Sequence, residues 1–218
     1  MGIPAEGNGL RQRNDLLATS ARLAGSRRLA ENMADIAEQV GYDQFHRLVC
    51  RSRGQLFRAC NFWGPKTGPN PTDRGKNGSK RHLIVDGRGT PLAIEHTGAN
   101  VHDSEMAIPL VKSIPPIKQP HGRPRRRPDN VFADRAYDAE EKIRQTLRQH
   151  NVTPQIARRN AKHGSGLGKY RYVVEAAFDW LFNQRRLRLR YEKRADIHQA
   201  FLIIGCLLIC WRKIIRFC

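Results

Sequence analysis

The sequence predicts a mixed α/β fold, a sheet flanked by helices, over its last two thirds. Three observations predict it. After residue 80, short apolar runs alternate with amphipathic stretches in the order β-β-α-β-α-β-α-α. The first two runs are joined by the turn Gly87-Arg-Gly89, which reads as a hairpin. At 218 residues, 39% of them hydrophobic, the chain is long enough for one core of ordinary size. A hairpin followed by alternating helices and strands implies a mixed sheet covered by helices.

Residues 1–63 differ in character from the rest. Arg13 to Val40 is rich in Ala, Leu and Glu and reads as a loosely periodic helix. Cys50 to Trp63 has neither the helical nor the strand period. Gly64 to Ser79 is a loop by its Gly, Pro, Asn and Lys content. Arg81 to Asp86 and Pro91 to Glu95 are the hairpin strands. Asp103 or Ser104 caps a short helix running to Ser113; His102 and Asp103 could instead orient a phosphate. Ile114 to Asp129 is a loop rich in Pro and Arg. Asn130 to Asp134 is a strand. Asp138 caps a helix from Ala139 to His150, which Asn151 ends. Val152 to Ala157 is another strand, and Arg158 to Gly168 a basic, Gly-rich loop. Tyr170 to Arg188 and Ile197 to Phe217 are helices. The expected hairpin has no partner strand upstream.

Charge narrows the function classes. Lys plus Arg number 39 against 20 acids, a net charge of +19. An excess of that size favours a phosphate-rich partner, because neutralised phosphates release counterions and drive association. The Arg clusters are Arg123 with Arg125, Arg126 and Arg127, then Arg158 and Arg159, then Arg185, Arg186, Arg188 and Arg190. Five irregularly spaced cysteines argue against a disulfide framework and for a reducing compartment. Cys206 and Cys210 read as core packing. The first residues lack the apolar segment of a signal peptide, and the longest apolar run, Ala200 to Trp211, is shorter than the roughly 20 residues that span a bilayer. A soluble cytoplasmic protein with no membrane partner is expected.

The chemistry centres on two acids. Val131-Phe-Ala-Asp134 is an apolar run that presents a carboxylate at its tip. Glu175 lies 41 positions later in Lys169-Tyr-Arg-Tyr-Val-Val-Glu-Ala-Ala-Phe-Asp-Trp180, which has helical periodicity. Two carboxylates on a strand end and a helix suit a divalent-metal site acting on phosphodiesters, where two hard cations activate the nucleophile and stabilise the leaving oxygen. Simpler roles exist. Asp134 could pair with Arg135 or cap a turn, and Glu175 could pair with Arg171 one helical turn away. Asp138 and Asp179 fit a cap and a helix face, and Asp86 fits a turn. Lys66, Lys76, Lys80 and Arg81 are candidate phosphate contacts. A third acid, expected earlier in the chain, is missing.

Several longer motifs carry a resemblance. Gly64-Pro-Lys-Thr-Gly-Pro-Asn-Pro-Thr-Asp-Arg-Gly75, Thr97-Gly-Ala-Asn-Val-His-Asp103, Phe132-Ala-Asp-Arg-Ala-Tyr-Asp138 and His163-Gly-Ser-Gly-Leu-Gly-Lys-Tyr-Arg-Tyr-Val-Val-Glu175 resemble bacterial insertion-sequence transposases of the DDE group, insertion-sequence family five. Arg185-Arg-Leu-Arg-Leu-Arg-Tyr-Glu192 and Ile209-Cys-Trp-Arg212 continue the likeness, which covers Gly64 to Arg212. The resemblance implies an RNase-H-like catalytic domain, Mg²⁺ (or Mn²⁺), and cleavage and strand transfer on double-stranded DNA with terminal inverted repeats, with a homo-oligomer in the synaptic complex. Carried over, Asp134 is the second acid of the triad and Glu175 the third, and these two are the catalytic and metal-binding residues. Arg171 matches the family's Arg upstream of that Glu, while Phe182 stands near the next expected basic position. Lys66, Lys80, Arg81, Arg158, Arg159, Lys169, Arg171, Arg185 and Arg186 become the expected DNA contacts, with the helix from Arg185 to Arg190 on phosphates.

The departure is the first acid. The family's first strand reads roughly Val-Asp-Ser-x-Ser-Val-Arg-Ala-x-Phe-Gly before the Gly-Pro-Lys-Thr-Gly loop. This chain has Arg53-Gly-Gln-Leu-Phe-Arg-Ala-Cys-Asn-Phe-Trp-Gly64, with no acid from Arg51 to Thr72. Read one base later, the codons of Gly54 and Gln55 permit Asp, and those of Gln55 and Leu56 must give Ser or Asn. Asn61 with Phe62 must give Ile or Thr, Phe62 with Trp63 must give Phe or Ser, and Trp63 with Gly64 must give Gly. The family motif is therefore allowed in the shifted frame. Residues 1–63 are expected to be an out-of-frame, poorly ordered or helical extension, and 64–218 a partial catalytic domain without its first strand. The rival expectation is a catalytically dead DNA-binding fragment that occupies element ends or inhibits intact transposase.

Overall fold

The computed structural model describes residues 47–54, 64–71, 73–118, 122–134, 137, 140–157 and 168–217, with residues 47–54 and a few at helix ends described by backbone only. The strands are β1 (Arg47–Gly54), β2 (Gly68–Pro69), β3 (Asn77–Val85), β4 (Pro91–Gly98), β5 (Asn130–Ala133) and β6 (Thr153–Ile156). The helices are α1 (Ala107–Lys112), α2 (Glu140–Gln149), α3 (Gly168–Phe182), α4 (Arg185–Arg188) and α5 (Ala195–Phe217). The expected helix at Arg13 to Val40 and the cap at Asp138 lie outside the described residues.

The main sheet runs β4-β3-β1-β5-β6. β3 pairs antiparallel with both β4 and β1; β1 pairs parallel with β5, and β5 parallel with β6. β2 extends it by pairing with the start of β3. This is the RNase-H-like order, so the expected fold class stands. The strand expected to be absent is present. β1 lies upstream of Gly64 and pairs Cys50 with both Ile84 and Ala133. Its sequence has no clean alternation, but a central strand is held by backbone bonds on both edges, which do not depend on side-chain type.

Helices cover both faces of the sheet, and the strand period assigns side chains to them. Ile84, Val131 and Ala133 join α1, α2 and β6 in one cluster, with Leu110, Ile143 and Leu147. Leu83, Val85 and Ile94 join α3, α4 and α5 in the other, with Val174, Phe178, Leu181, Leu202 and Cys206. Covering on both sides explains the uninterrupted run Leu83-Ile-Val85. α1 is preceded by a 3₁₀ turn, Asp103–Met106, and its cap is His102, whose ring accepts from the Ser104 amide at 3.3 Å. Asn151 ends α2 with a left-handed φ of 57°, as its residue type allows. The expected helix from Tyr170 to Arg188 is broken at Asn183 and Gln184 into α3 and α4. By length and composition α5 could cross a membrane, yet its inner face (Leu202, Ile203, Cys206, Ile209 and Cys210) is built into the protein.

Two polar features lie inside this frame. Arg190 is 4% exposed. Its guanidinium donates to the carbonyls of Pro65 (2.8 Å), Lys66 (3.0 Å), Glu192 (2.9 Å) and Lys193 (3.2 Å) and to Ser79 Oγ (2.8 Å). It ties the Gly64-Pro-Lys-Thr-Gly68 loop to the segment entering α5. Gly64 fits this contact because a Cβ there would lie 2.3 Å from the Lys193 carbonyl oxygen. His82, His96 and His198 are fully buried. His82 Nε2 meets Thr97 Oγ1 at 2.8 Å, His96 Nδ1 meets Gln199 Oε1 at 2.7 Å, and His198 Nδ1 meets Glu192 Oε2 at 3.1 Å. Burial pushes His82 down to about 4 and both His96 and His198 down to about 3.

Replacing Arg190 with Ala leaves several buried carbonyls without a donor and is expected to destabilise the fold by roughly 3 kcal/mol or more. Arg190→Lys is expected to recover little, since a single ammonium cannot reproduce the fork. Urea midpoints of the two variants against the parent check both. The histidines are held neutral in the fold and titrate near 6.5 when unfolded. Their contribution is therefore complete above pH 6.5 and lost as pH falls towards 3 or 4. Asp86 and Glu95, raised by burial, take up protons earlier in the folded state and offset part of the loss. The clean test is a difference: His198→Asn should flatten the slope of stability against pH between pH 6 and 4, by up to about 1.4 kcal/mol per pH unit.

Candidate active site

Asp134 follows β5 directly, at the carboxyl end of the two parallel pairings. Phe132, two residues earlier, shares its side of the strand. The Phe132 ring stacks on Tyr170 of α3 with centroids 4.2 Å apart. That stack fixes the first turn of α3 against β5. Further along α3, Val174, Ala177, Phe178 and Leu181 are fully buried and set which face of the helix looks inward. Arg171 and Glu175 fall at the margin of that face, one turn apart, and Asp134 meets them there.

Arg171 joins the two acids. Its Nη1 lies 3.8 Å from Asp134 Oδ1, and its Nε donates to Glu175 Oε1 at 3.2 Å. The side chains of Asp134, Glu175 and Arg171 are 26%, 42% and 49% exposed, so the cluster opens to solvent and a polymer could reach it. The intrahelical Arg171–Glu175 pair is the simpler role foreseen for Glu175. It does not exclude the other role, because the same guanidinium also faces Asp134. Two carboxylates of hard oxygen donors meeting at one positive group make a donor set that fits Mg²⁺ or Mn²⁺. Among the described residues no three His, Cys, Asp or Glu side chains form a metal-ligating group. β1, which runs beside β5, carries Arg47-Leu-Val-Cys-Arg-Ser-Arg-Gly54 and no acid.

The basic residues divide by environment. Lys66 is 44% exposed and 3.6 Å from Glu95. Lys80 is mostly covered, pairing with Asp103 at 3.2 Å and donating to the Val101 carbonyl at 2.9 Å. Both belong to the end of the sheet that carries Asp134, since Lys80 pairs with Gly54 at the end of β1. Arg185 is exposed. Arg186 is exposed too, but it pairs with Glu192 at 2.8 Å and lies over the rings of Tyr191 and Phe201. Arg81 is a correction. It is 0% exposed, with its guanidinium 5.0 Å from the Phe182 ring centroid. It shares the face of β3 that carries Leu83 and Val85, so it points under α3 and not to solvent. Arg190 is a second correction, since all the contacts above are internal. Arg158 and Arg159 lie outside the described residues, as does the side chain of Lys169.

Sequence reasoning missed the internal work of Arg190 and the histidines. Only one signal hinted at it: His82 directly precedes the apolar run Leu83-Ile-Val85, and His96 closely follows Leu92-Ala-Ile94.

Comparison with known proteins gives the family. Residues 43–211 match the family model described as Transposase DDE domain. The chain is 48% identical over 207 residues to the transposase for insertion sequence element IS402 of Burkholderia cepacia, covering 95% of this chain and 98% of that protein. It is 29% identical over 137 residues to the transposase for insertion sequence element IS6501 of Brucella ovis, covering 60% of this chain and 96% of that one. Among solved structures it is similar to the catalytic core domain of BIV integrase, with a TM-score of 0.42 and 10% identity over 73% of this chain and 82% of that one. The family match spans most of the chain and takes in β1, both acids and Arg171, so this chain belongs to the DDE transposases of bacterial insertion sequences.

Proposed function

We propose that the chain cuts and rejoins phosphodiester bonds at the ends of its insertion sequence, with Asp134 and Glu175 as the metal-binding carboxylates. The observation that carries this reading is their convergence on Arg171 from two separate elements. Mg²⁺ or Mn²⁺ held there would activate the attacking oxygen and stabilise the leaving one. Asp134 supplies a carboxylate fixed by the strand, and Glu175 one fixed by the helix; such rigidity matters because small misplacements cost rate. Arg171 is half exposed and has the reach to turn outward onto a phosphate. Lys66, Lys169 and Arg185, with Arg158 and Arg159 earlier in the sequence than α3, supply phosphate contacts that position duplex DNA carrying terminal inverted repeats. The protein works in the cytoplasm on the nucleoid.

We also infer that the missing first acid is encoded one base away from the frame of residues 1–63. The Asp allowed by the shifted codons falls at Gly54, the carboxyl end of β1, on the strand beside β5. The alignment with the IS402 transposase takes in 95% of this chain and so includes most of residues 1–63. Reading the nucleotides through codons 40 to 70 tests the shifted frame, because a one-base-later Val-Asp-Ser is required. Without that acid, activity of the chain alone is impaired. The absence of an acid from β1 favours a second reading, a DNA-binding fragment without catalysis that occupies element ends.

Three outcomes are expected. Mg²⁺-dependent nicking of a plasmid bearing the element ends, however slow, should fall at least about 100-fold in Asp134→Ala and in Glu175→Gln. Binding to the same DNA should be little changed in both. Binding with no nicking under any divalent ion supports the silent fragment instead. Finally, Lys66→Ala and Arg185→Ala should each reduce the slope of log affinity against log salt by about 1, while Arg186→Ala changes it less because Arg186 is already paired.

A further inference from the structure

The loop before β5 carries arginines that the site at Asp134 does not use. Its run is Arg123-Pro-Arg-Arg-Arg-Pro128. The two prolines fix φ and hold the residues before them extended, so the run is stiff. Arg125 pins it. Its backbone exchanges two hydrogen bonds of 2.8 Å with Ile117, and its guanidinium pairs with Asp129. The Asp129 carbonyl in turn accepts from the Thr153 amide at 2.8 Å. Arg123, Arg126 and Arg127 are exposed, and among the described residues no acid pairs with them. Arg126 and Arg127, with His150 and Asn151 from the turn after α2, line an open cleft of about 440 Å³. Like charges fixed side by side repel, and a bound polyanion relieves that repulsion.

We propose that this cleft holds a backbone phosphate of the same duplex that reaches Asp134 and Glu175, about five base pairs from the bond at the acids. The path between the two places is open and polar. β5 and β6 run parallel, with Phe132 opposite Gln155 and Asn130 opposite Thr153. Phe132 and Asp134 face α3, while Val131, Ala133 and Ile156 belong to the cluster on the other face. Thr153 and Gln155 therefore lie on the side of the sheet that carries the acids, and both are exposed. β6 is the last strand on this edge among the described residues, so a duplex can lie along it. The cleft sits at the amino end of β5 and Asp134 at its carboxyl end. Five residues of strand, from Asp129 to Asp134, span about 16 Å. A DNA strand advances about 3.4 Å per base pair, and the ratio gives about five base pairs. Arg126 and Arg127 offer planar forks that match phosphate oxygens. Such contacts carry no sequence information but fix the register of the duplex on the acids. What lies at the far end of the path rests on the reading of Asp134 and Glu175 as the cutting site; the phosphate in the cleft does not.

Phosphate-ethylation interference on a duplex bearing the element end, bound by the full chain, tests this. One phosphate is expected to matter for the parent and to stop mattering in the double variant Arg126→Ala, Arg127→Ala. It should lie about five base pairs from the phosphate that stops mattering in Arg171→Ala. The double variant should also reduce the slope of log affinity against log salt by about 2, with melting unchanged because both side chains are exposed. Arg212 is the control: it is exposed on α5, which packs over β4 at the opposite edge of the sheet, and Arg212→Ala should keep the parent's interference pattern. Asp134→Ala should keep it too. A parent that never nicks DNA but shows the pattern upholds the cleft and removes the catalytic reading. A double variant with the parent's pattern and salt slope overturns the proposal. Two phosphates that are neighbours, or more than a helical turn apart, overturn the path along β6.

Discussion

The fold depends on β1. Its ladder to β3 joins the hairpin to the sheet, and its ladder to β5 joins the parallel pair, with Cys50 facing Ile84 on one side and Ala133 on the other. Among the described residues no other strand links the two halves. Backbone bonds are indifferent to side-chain pattern, which is why a stretch with poor strand character can hold this place. The position is also the one where the family expects its first acid. The strand is thus present in architecture while its residue types, Arg47 to Gly54, leave the acid out. Structure and chemistry separate at a single element.

The site follows from two periodicities meeting. Along β5 the period of two puts Phe132 and Asp134 on one side. Along α3 the burial of Val174, Ala177, Phe178 and Leu181 leaves Arg171 and Glu175 at the helix margin. The Phe132–Tyr170 stack locks the two elements in register. The two acids are related through Arg171, whose guanidinium reaches both. An exposed pair of this kind contributes little to stability, about 1 kcal/mol or less, so its meaning is positional.

The net charge of +19 overstates the surface available to DNA. Arg81 and Arg190 lie inside the protein, and Arg186 and Lys80 are held by acids. Arg190 in particular does for the loop at Gly64 what a strand would do, supplying donors to carbonyls that have no ladder partner. Close to it, three histidines remain neutral because their burial disfavours charge. A basic protein can therefore use its cations in two ways, and composition alone does not divide them.

The sequence by itself determined the fold class, the hairpin, the strand carrying Asp134, the helix carrying Glu175 and the family. Each of these rests on local periodicity or on residue types at fixed spacing, which the chain displays openly. It also determined that no acid stands between Arg51 and Thr72. Tertiary structure alone decided the rest. That β1 fills the centre of the sheet depends on pairing with residues some 30 and 80 positions away, to which a single-segment pattern is blind. That Arg81 lies under α3 while its neighbour Lys80 turns to Asp103 and the Val101 carbonyl depends on which side of β3 α3 covers. That Arg190 is a clamp depends on the loop at Gly64 returning to meet it. In every case the deciding quantity is burial or a hydrogen-bond partner supplied by a distant part of the chain.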